Sequence, residues 1–364
     1  MSLPCATHDG SSRARPWRGV LRRPLTLALA VVVALGTAGA GVGQPGRGDA
    51  GRVRSIDHSR ACASGTCYVA VSVATLWVKP WYPRAIDAPA LGRPADPAAW
   101  VHALSTVQRE WLVGRLETQA LYGTRVTVIG HWHSWTHVAV PSQPTNRDAR
   151  GYPGWVPTQQ LTRTPPAGAR TSAVIRSATA WLWTGATTNR VAGTRVMRMS
   201  YDTRLPVVRA TSGYVEVSLI GGGTGALRRS DVVLRRAGAA GDVTRARLVG
   251  EARRFLGLPY LWGGTSGIAF DCSGFTYAVY RFYEITLSRD ADQQAVHGAY
   301  VARGALRPGD LVFFRGSAGG PISHVGMYVG GGNMIDAPHT GAVIRIEPVA
   351  SFGDYAGARR YLPR

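Results

Sequence analysis

The sequence predicts an α+β domain at its C-terminal end, preceded by two small all-β barrels. Alternating apolar segments separated by turn residues run through residues 66–164, and a similar pattern returns in residues 170–238. Helical spacing of apolar residues dominates only in residues 243–364. A length of 364 residues exceeds most single domains, and an apolar content of 45% is enough for several cores, so more than one domain is expected.

The N-terminal residues 1–40 have the composition of an export signal. Arginines precede an apolar run at residues 25–35, and small residues follow at 38–40. Eleven apolar residues are too few to cross a bilayer as a helix, which needs about 20. We expect a cleaved signal and no stable membrane span afterwards, with an uncleaved anchor as the alternative. The mature protein is then secreted or held in the cell envelope, and residues 41–65 form a Gly- and Arg-rich linker.

The formal charge of +21 comes almost entirely from arginine, with Lys79 as the only lysine. Residues 1–40 hold five Arg and one Asp, so the rest of the chain keeps about +17. Nucleic-acid binding is not predicted, because aromatic residues and Arg are not interleaved along one stretch as stacking grooves require. An anionic cell-wall polymer is the expected neighbour, and a merely solvated Arg-rich surface is the alternative.

The four cysteines fit an exported protein. Cys5 belongs to the signal, Cys62 and Cys67 are close enough to form a disulfide loop or stay as free thiols in a linker, and Cys272 stands alone. No zinc site is predicted, because no second Cys pair or spaced His pair accompanies them. Three further histidines alternate along one predicted strand and hairpin rather than forming a metal cluster: His131, His133 and His137.

The two β regions resemble each other. Residues 123–128 align without gaps with residues 202–207 at an offset of 79, and the same offset relates Trp135 to Tyr214. This match predicts an internal duplication. Within the first region, a helical insert is expected between Pro97 and Gln119.

The C-terminal domain carries a reactive-cysteine pattern. Cys272 begins a predicted helix, where unpaired backbone N–H groups and the helix dipole favour a thiolate. His324, on the predicted strand 324–329, is a candidate base, and its imidazole needs a third polar group to hold one tautomer. Asp336 and His339 both follow the next turn. Spacing alone leaves both open, since a change of one residue in the loop reverses the faces of the strand.

These residues resemble the NlpC-type cell-wall peptidases, a branch of the papain-like cysteine peptidases. The resemblance rests on four motifs in order: 258–264, 271–275, 307–314 and 323–328. It implies a papain-like fold with Cys272 as nucleophile, His324 as base and, twelve residues later, Asp336 as the third member. The family most often has His at that third position, so this sequence departs from the common pattern. His339 is then expected on the substrate side.

The resemblance extends to the members that carry bacterial SH3-like domains and release L-Ala-γ-D-Glu from peptidoglycan stem peptides. Its supporting segments in the first β region are residues 111–112, 116–123 and 151–157. It implies that both β regions are SH3-like barrels. It also implies a set of residues that binds the free amino terminus of the substrate: Glu117, Tyr152, Tyr260, Asp271 and Ser273. From the residues alone, Glu117 is a helix-surface charge and Tyr152 a barrel-core or turn residue.

The predicted activity is hydrolysis of the γ-D-glutamyl–diamino acid bond in stem peptides, without a cofactor. A carboxylate in a partly closed pocket binds an ammonium group and rejects a blocked amine, which favours an exo-acting enzyme. The rivals are an endo-acting hydrolase of intact wall and a wall-binding protein with an inactive peptidase domain. The sequence does not distinguish diaminopimelate from lysine in the substrate.

Overall fold

The computed structural model describes residues 62–239, 242–316 and 319–362. The predicted signal, residues 1–40, and most of the predicted linker lie outside the described residues. Cys62 and Cys67 form the disulfide that was one of the two sequence expectations. Within the described ranges, no helix is both long and apolar enough to cross a membrane.

The first β region forms one seven-stranded sheet with the strand order β3-β2-β6-β5-β4-β1-β7, and the described residues do not form the closed barrel that was expected. Three short helices lie between its second and third strands: α1 (Ala88–Leu91), α2 (Pro97–Ala103) and α3 (Thr106–Glu110). Its strands are β1 (Thr66–Val69), β2 (Val73–Trp77), β3 (Leu116–Leu121), β4 (Arg125–Trp132), β5 (Trp135–Val140), β6 (Tyr152–Pro157) and β7 (Leu161–Thr162).

The predicted helical insert is correct in its first part and wrong in its last. The helices end at Glu110, and Leu116–Leu121 is strand β3, paired with β2. Leu, Glu, Gln and Ala in this segment favour a helix locally. All six residues except Glu117 are buried in the sheet, and this packing outweighs the weak local preference. Glu117 is therefore a strand residue and not a helix-surface charge.

The second β region repeats the topology of the first. Its seven strands have the order β10-β9-β13-β12-β11-β8-β14, which matches the first sheet strand for strand. β4 begins at Arg125 and β11 at Arg204, and β5 begins at Trp135 and β12 at Tyr214, so the predicted offset of 79 is retained. The strands are β8 (Thr171–Ile175), β9 (Thr179–Thr187), β10 (Arg190–Ser200), β11 (Arg204–Ala210), β12 (Tyr214–Ser218), β13 (Thr224–Arg228) and β14 (Val232–Arg236). The shared order supports the internal duplication.

The C-terminal domain combines helices with an antiparallel six-stranded sheet of order β17-β22-β18-β19-β20-β21. Its helices are α4 (Arg245–Arg253), α5 (Cys272–Phe282) and α6 (Ala291–Gln294). Its strands are β15 (Thr265–Ser266), β16 (Ala269–Phe270), β17 (Ala299–Tyr300), β18 (Leu311–Arg315), β19 (Ile322–Gly330), β20 (Asn333–Asp336), β21 (Arg345–Pro348) and β22 (Tyr355–Arg360). The helix predicted to begin at Cys272 and the strand predicted at residues 324–329 are confirmed.

Packing of α5 against the sheet positions the candidate site. Ten of the eleven residues of this helix are buried. Phe275 lies in a cluster of aromatic rings with Phe255 and Phe270. Helix α5 packs between these rings and strand β19. This packing holds its first residue, Cys272, at a fixed position beside the sheet.

The first β region contacts the C-terminal domain through β3. The side chain of Trp262 donates to the backbone carbonyl of Leu116 at 3.0 Å. The amide of Thr265 donates to the side chain of Gln119 at 3.2 Å, and its hydroxyl donates to the Gln119 carbonyl at 3.0 Å. These bonds place β3, and Glu117 with it, beside the loop that leads to Cys272.

Candidate active site

Cys272 lies at the N-terminal end of α5. The preceding residue, Asp271, caps the helix by accepting a hydrogen bond from the Gly274 amide at 2.6 Å. Cys272 is 7% exposed and is the one free cysteine among the described residues. The end of a helix provides unpaired N–H groups and a positive dipole, so an anion at the sulfur, or at an oxygen held beside it, is stabilised there.

His324 is held by contacts on two sides. Its ring stacks on Phe352 with the centroids 4.3 Å apart and an angle of 5° between the planes. Its Nε2 is 2.7 Å from Oδ2 of Asp336. The other ring nitrogen, Nδ1, is then the atom available to Cys272, whose sulfur also lies 4.0 Å from the Ser323 carbonyl oxygen. The imidazole is therefore fixed in plane and in orientation.

The surroundings of His324 favour its charged form. Burial lowers the pKa of this imidazole, but the hydrogen bond with Asp336 and the charges of Asp336 and Cys272 outweigh burial and raise the pKa to about 9. At neutral pH an imidazolium is thus expected between the carboxylate and the sulfur. This arrangement can donate a proton to a leaving group and can stabilise a neighbouring thiolate.

The strand register shows which of Asp336 and His339 lies beside His324. β19 and β20 pair Met327 with Ile335 and Tyr328 with Met334, which places Asp336 on the face of the sheet that carries His324. His339 lies beyond the strand, is exposed, and directs Nδ1 to the Thr340 carbonyl at 2.9 Å. The structure brings Asp336 to His324 and does not bring His339 there.

Asp271 and Ser273, which flank the cysteine, are bound to Arg289. The guanidinium of Arg289 donates to both carboxylate oxygens of Asp271 at 3.1 and 2.6 Å, and to the hydroxyl of Ser273 at 3.0 Å. Its Nε donates to Thr118 of β3 at 2.9 Å. Sequence reasoning missed Arg289. Its side chain is 1% exposed, but its sequence context is an unremarkable polar stretch among 42 basic residues.

Glu117 and Tyr152 meet through a second arginine, Arg147, from the β5–β6 loop. The Arg147 guanidinium donates to both oxygens of Glu117, and to the Tyr152 hydroxyl at 3.0 Å. The Tyr152 hydroxyl donates to Asp290 at 3.0 Å. Burial and the charge of Asp290 raise the pKa of Tyr152, so its hydroxyl stays protonated. Sequence reasoning missed Arg147 and Asp290 as well.

Tyr260 completes the set next to the cysteine. Tyr260 is 6% exposed. Burial raises the pKa of its hydroxyl well above the usual value, and the charges of Cys272 and Asp271 add to this effect. The guanidinium carbon of Arg289 is 6.0 Å from the Tyr152 ring centre. One continuous polar region therefore links Cys272 and its neighbours in the C-terminal domain to Glu117 and Tyr152 in the first β region.

Comparison with protein-family models gives two matches. Residues 257–356 match the NlpC/P60 family. Residues 175–234 match the YKFC SH3b2 domain. The first match contains Cys272, His324 and Asp336, and the second covers most of the second β region.

Curated relatives and a solved structure resemble the chain over most of its length. A γ-D-glutamyl-L-lysine dipeptidyl-peptidase from Bacillus cereus (strain ATCC 10987 / NRS 248) is 37% identical over 318 residues, covering 84% of this chain and 94% of the relative. An enzyme of the same name from Bacillus subtilis (strain 168) is 37% identical over 280 residues, covering 76% and 90%. The crystal structure of an NlpC/P60 family protein from Bacillus cereus ATCC 10987 has a TM-score of 0.77 and 37% identity, and the match covers 82% of this chain and 100% of that one. The chain belongs to the NlpC/P60 family and is a cysteine peptidase with an SH3b domain.

Proposed function

We propose that this protein is an exported dipeptidyl-peptidase that releases L-Ala-γ-D-Glu from peptidoglycan stem peptides with a free N-terminal L-Ala. The bond that breaks is the amide between the γ-carbonyl of D-Glu and the diamino acid. The two Bacillus relatives, named γ-D-glutamyl-L-lysine dipeptidyl-peptidases, support this substrate class. We also propose that both β regions, 66–164 and 170–238, are SH3-like and that the peptidase domain spans residues 243–364.

The observation that carries the proposal is a cation-binding group of side chains beside Cys272. Glu117, whose side chain is 10% exposed, already holds a guanidinium with both oxygens. The region contains three carboxylates but only two guanidinium groups: Glu117, Asp271 and Asp290 against Arg147 and Arg289. The surplus carboxylate favours an additional cation. An ammonium at the amino terminus of the substrate has the required charge and hydrogen-bond donors.

The position of this group sets the length of the product. Asp271 directly precedes Cys272, and Arg289 joins it to Thr118 of the strand that carries Glu117. A substrate anchored here by its amino terminus has only a short segment between the anchor and the sulfur. A longer chain on the amino side would forgo the charge-assisted hydrogen bonds between its ammonium group and these carboxylates, so cleavage is expected after two residues.

We propose a two-step mechanism. The thiolate of Cys272 attacks the γ-carbonyl carbon, and backbone N–H groups at the start of α5 stabilise the oxyanion. The His324 imidazolium gives its proton to the departing amine as the C–N bond breaks, which leaves a thioester and a neutral imidazole. Water then attacks the thioester carbon while His324 takes its proton, the C–S bond breaks to restore the Cys272 thiolate, and the dipeptide leaves. Asp336 orients the imidazole throughout.

Paired peptides test the proposal. We expect the wild-type enzyme to cleave L-Ala-γ-D-Glu-diamino acid peptides and to release the dipeptide, as identified by mass spectrometry. The same peptide acetylated at its amino terminus should be cleaved at least tenfold more slowly, since the loss of one charged hydrogen bond costs about 1.5–3 kcal/mol. Equal rates on the two peptides would instead indicate an endo-acting hydrolase. Full wall binding with no cleavage of either peptide would indicate a binding protein.

A further inference from the structure

A second carboxyl group lies behind Asp336. Strands β20 and β21 pair Asp336 with Arg345 and Met334 with Glu347. Glu347 is therefore the diagonal neighbour of Asp336 on the same face of the sheet. The side chain of Asp336 is fully buried and that of Glu347 is 14% exposed.

The two carboxyl groups have the same pattern of hydrogen bonds. Each uses one oxygen for a basic partner: Oδ2 of Asp336 bonds His324 at 2.7 Å, and Oε2 of Glu347 accepts from Arg345 at 3.1 Å. The remaining oxygens, Oδ1 of Asp336 and Oε1 of Glu347, are buried and have no partner among the described residues. Ionised carboxylates only accept hydrogen bonds, so the two groups cannot satisfy each other without a proton. One proton between them provides a donor for both.

The charges in the region favour such a proton. The groups around Asp336 are His324 on one side and Glu347 and Arg345 on the other, with Cys272 beyond the imidazole. Burial raises the pKa of Asp336, the neighbouring His324 lowers it, and the charge of Glu347 raises it. Two ionised carboxylates on neighbouring strands repel each other, and a proton shared between them removes that repulsion.

We propose that Glu347 is a positioning residue of the active site, which shares one proton with Asp336 and thereby holds the Asp336 carboxylate against His324. Glu347 contacts neither substrate nor sulfur, and it acts through Asp336. The inference rests on the proposed roles of Cys272, His324 and Asp336. A shared proton fixes the rotation of the Asp336 carboxylate so that Oδ2 remains directed at Nε2.

Two substitutions of Glu347 test the inference, with kcat and KM measured on the free-amine peptide across pH. In Glu347→Gln, the amide N–H₂ can donate to Oδ1 of Asp336, and the pair keeps a single negative charge. We expect a kcat close to that of wild type and an unchanged basic limb of the pH profile. Glu347→Ala removes the donor, so kcat should fall about tenfold with little change in KM.

Glu216→Gln is the matched control, because Glu216 is also a strand glutamate paired with an arginine, Arg209, and lies in the second β region. We expect it to match wild type. A wild-type kcat in Glu347→Ala would overturn the inference. A pH profile of Glu347→Gln whose basic limb lies at lower pH than in wild type would also overturn the inference. Such a shift would mean that the substitution had removed an ionised carboxylate near His324. If Glu347→Ala does not fold, the pH profile of Glu347→Gln decides alone.

Cys272→Ala, measured in the same series, separates this inference from the proposed function. Loss of all cleavage in Cys272→Ala together with unaltered Glu347 variants would leave the peptidase proposal intact and reject the role of Glu347. Retained cleavage in Cys272→Ala would reject the proposed mechanism itself.

Discussion

The chemistry proposed for this protein depends on a few side chains whose partners are well defined. His324 stacks on Phe352, bonds Asp336 at 2.7 Å and has a pKa raised to about 9. Those contacts are what distinguish it from an ordinary strand histidine, whose pKa is near 6.5. The proposed attack by Cys272 depends on this imidazolium.

Asp336→Asn is expected to move the basic limb of kcat/KM to lower pH. In wild type the imidazolium is lost as pH rises through about 9, so activity should fall there. Asn keeps the shape of Asp336 but removes the charge that stabilises the imidazolium, which lowers the pKa of His324. A pH profile of kcat/KM for both proteins measures this directly. A limb that stays near pH 9 in the variant would show that Asp336 does not set the charge of His324.

Glu117→Gln is expected to raise KM for the free-amine peptide about 10- to 100-fold with a smaller change in kcat, because one charged hydrogen bond to the substrate ammonium is lost. Asp148→Asn is the matched control. Asp148 lies in the same loop as Arg147 and pairs with Arg150 instead. Initial rates against peptide concentration give both constants. If the two variants behave alike, Glu117 does not hold the amino terminus.

Sequence reasoning identified the reactive groups better than their partners. Cys272 and His324 have distinctive local settings, a helix start and a strand with small neighbours. Arg289, Arg147 and Glu347 do not, because their roles arise from contacts between residues 16 to 171 positions apart or between neighbouring strands. Nothing in their immediate sequence separates them from surface charges.

At the scale of the secondary structure, the β19–β20 hairpin does the most for the site. Its register places Asp336 on the face of His324, and a slip by one residue would turn Asp336 away. The sequence indicated two strands but not the length of the turn between them. The choice of Asp336 over His339 therefore needed either the family spacing or the structure.

Gly326 tests how tightly this hairpin is packed. A Cβ at Gly326 would lie 2.6 Å from the Met334 sulfur and 3.3 Å from Cβ of Asp336. Gly326→Ala should therefore displace Asp336 and lower kcat by at least tenfold, with a loss of about 1–3 kcal/mol in the free energy of unfolding from overpacking. Steady-state kinetics and urea denaturation measure the two effects.

Gly250→Ala serves as its control. Gly250 is an exposed residue within α4, and a Cβ there meets nothing within 4 Å. The alanine should stabilise the helix by about 0.5–1 kcal/mol and leave kcat unchanged. A Gly326→Ala enzyme that is as stable and as active as this control would show that the hairpin tolerates the methyl group.

At the scale of the whole molecule, the first β region lies against the candidate site. Residues 116–119 were expected in the helical insert but belong to strand β3, which explains why this contact was only partly predicted. Several residues of this strand favour a helix locally, so the sequence pattern did not indicate a strand. Its hydrogen bonds to Trp262 and Thr265 join positions 146 residues apart. The order of the domains and the duplication followed from periodicity and the offset of 79. The contact between domains depends on tertiary packing, which a local sequence pattern does not predict.

The surplus of arginine predicts salt-dependent attachment to the wall. With a formal charge of about +17 outside residues 1–40, binding to anionic sacculi should weaken as salt shortens the screening length from about 10 Å at 0.1 M to about 3 Å at 1 M. Cys272→Ala should show the same binding curve, because Cys272 is buried and its replacement leaves every arginine in place. A sedimentation assay with purified sacculi measures both proteins. Binding that does not respond to salt would exclude an electrostatic attachment.

The most direct test of the central claim is an affinity label built from the proposed product, L-Ala-γ-D-Glu chloromethyl ketone with a free amino terminus. We predict one label per protein, attached to Cys272 by peptide mapping, with inactivation at least tenfold slower for the label acetylated at its amino terminus. Attachment to another residue, or equal rates for the free and acetylated labels, would contradict the account.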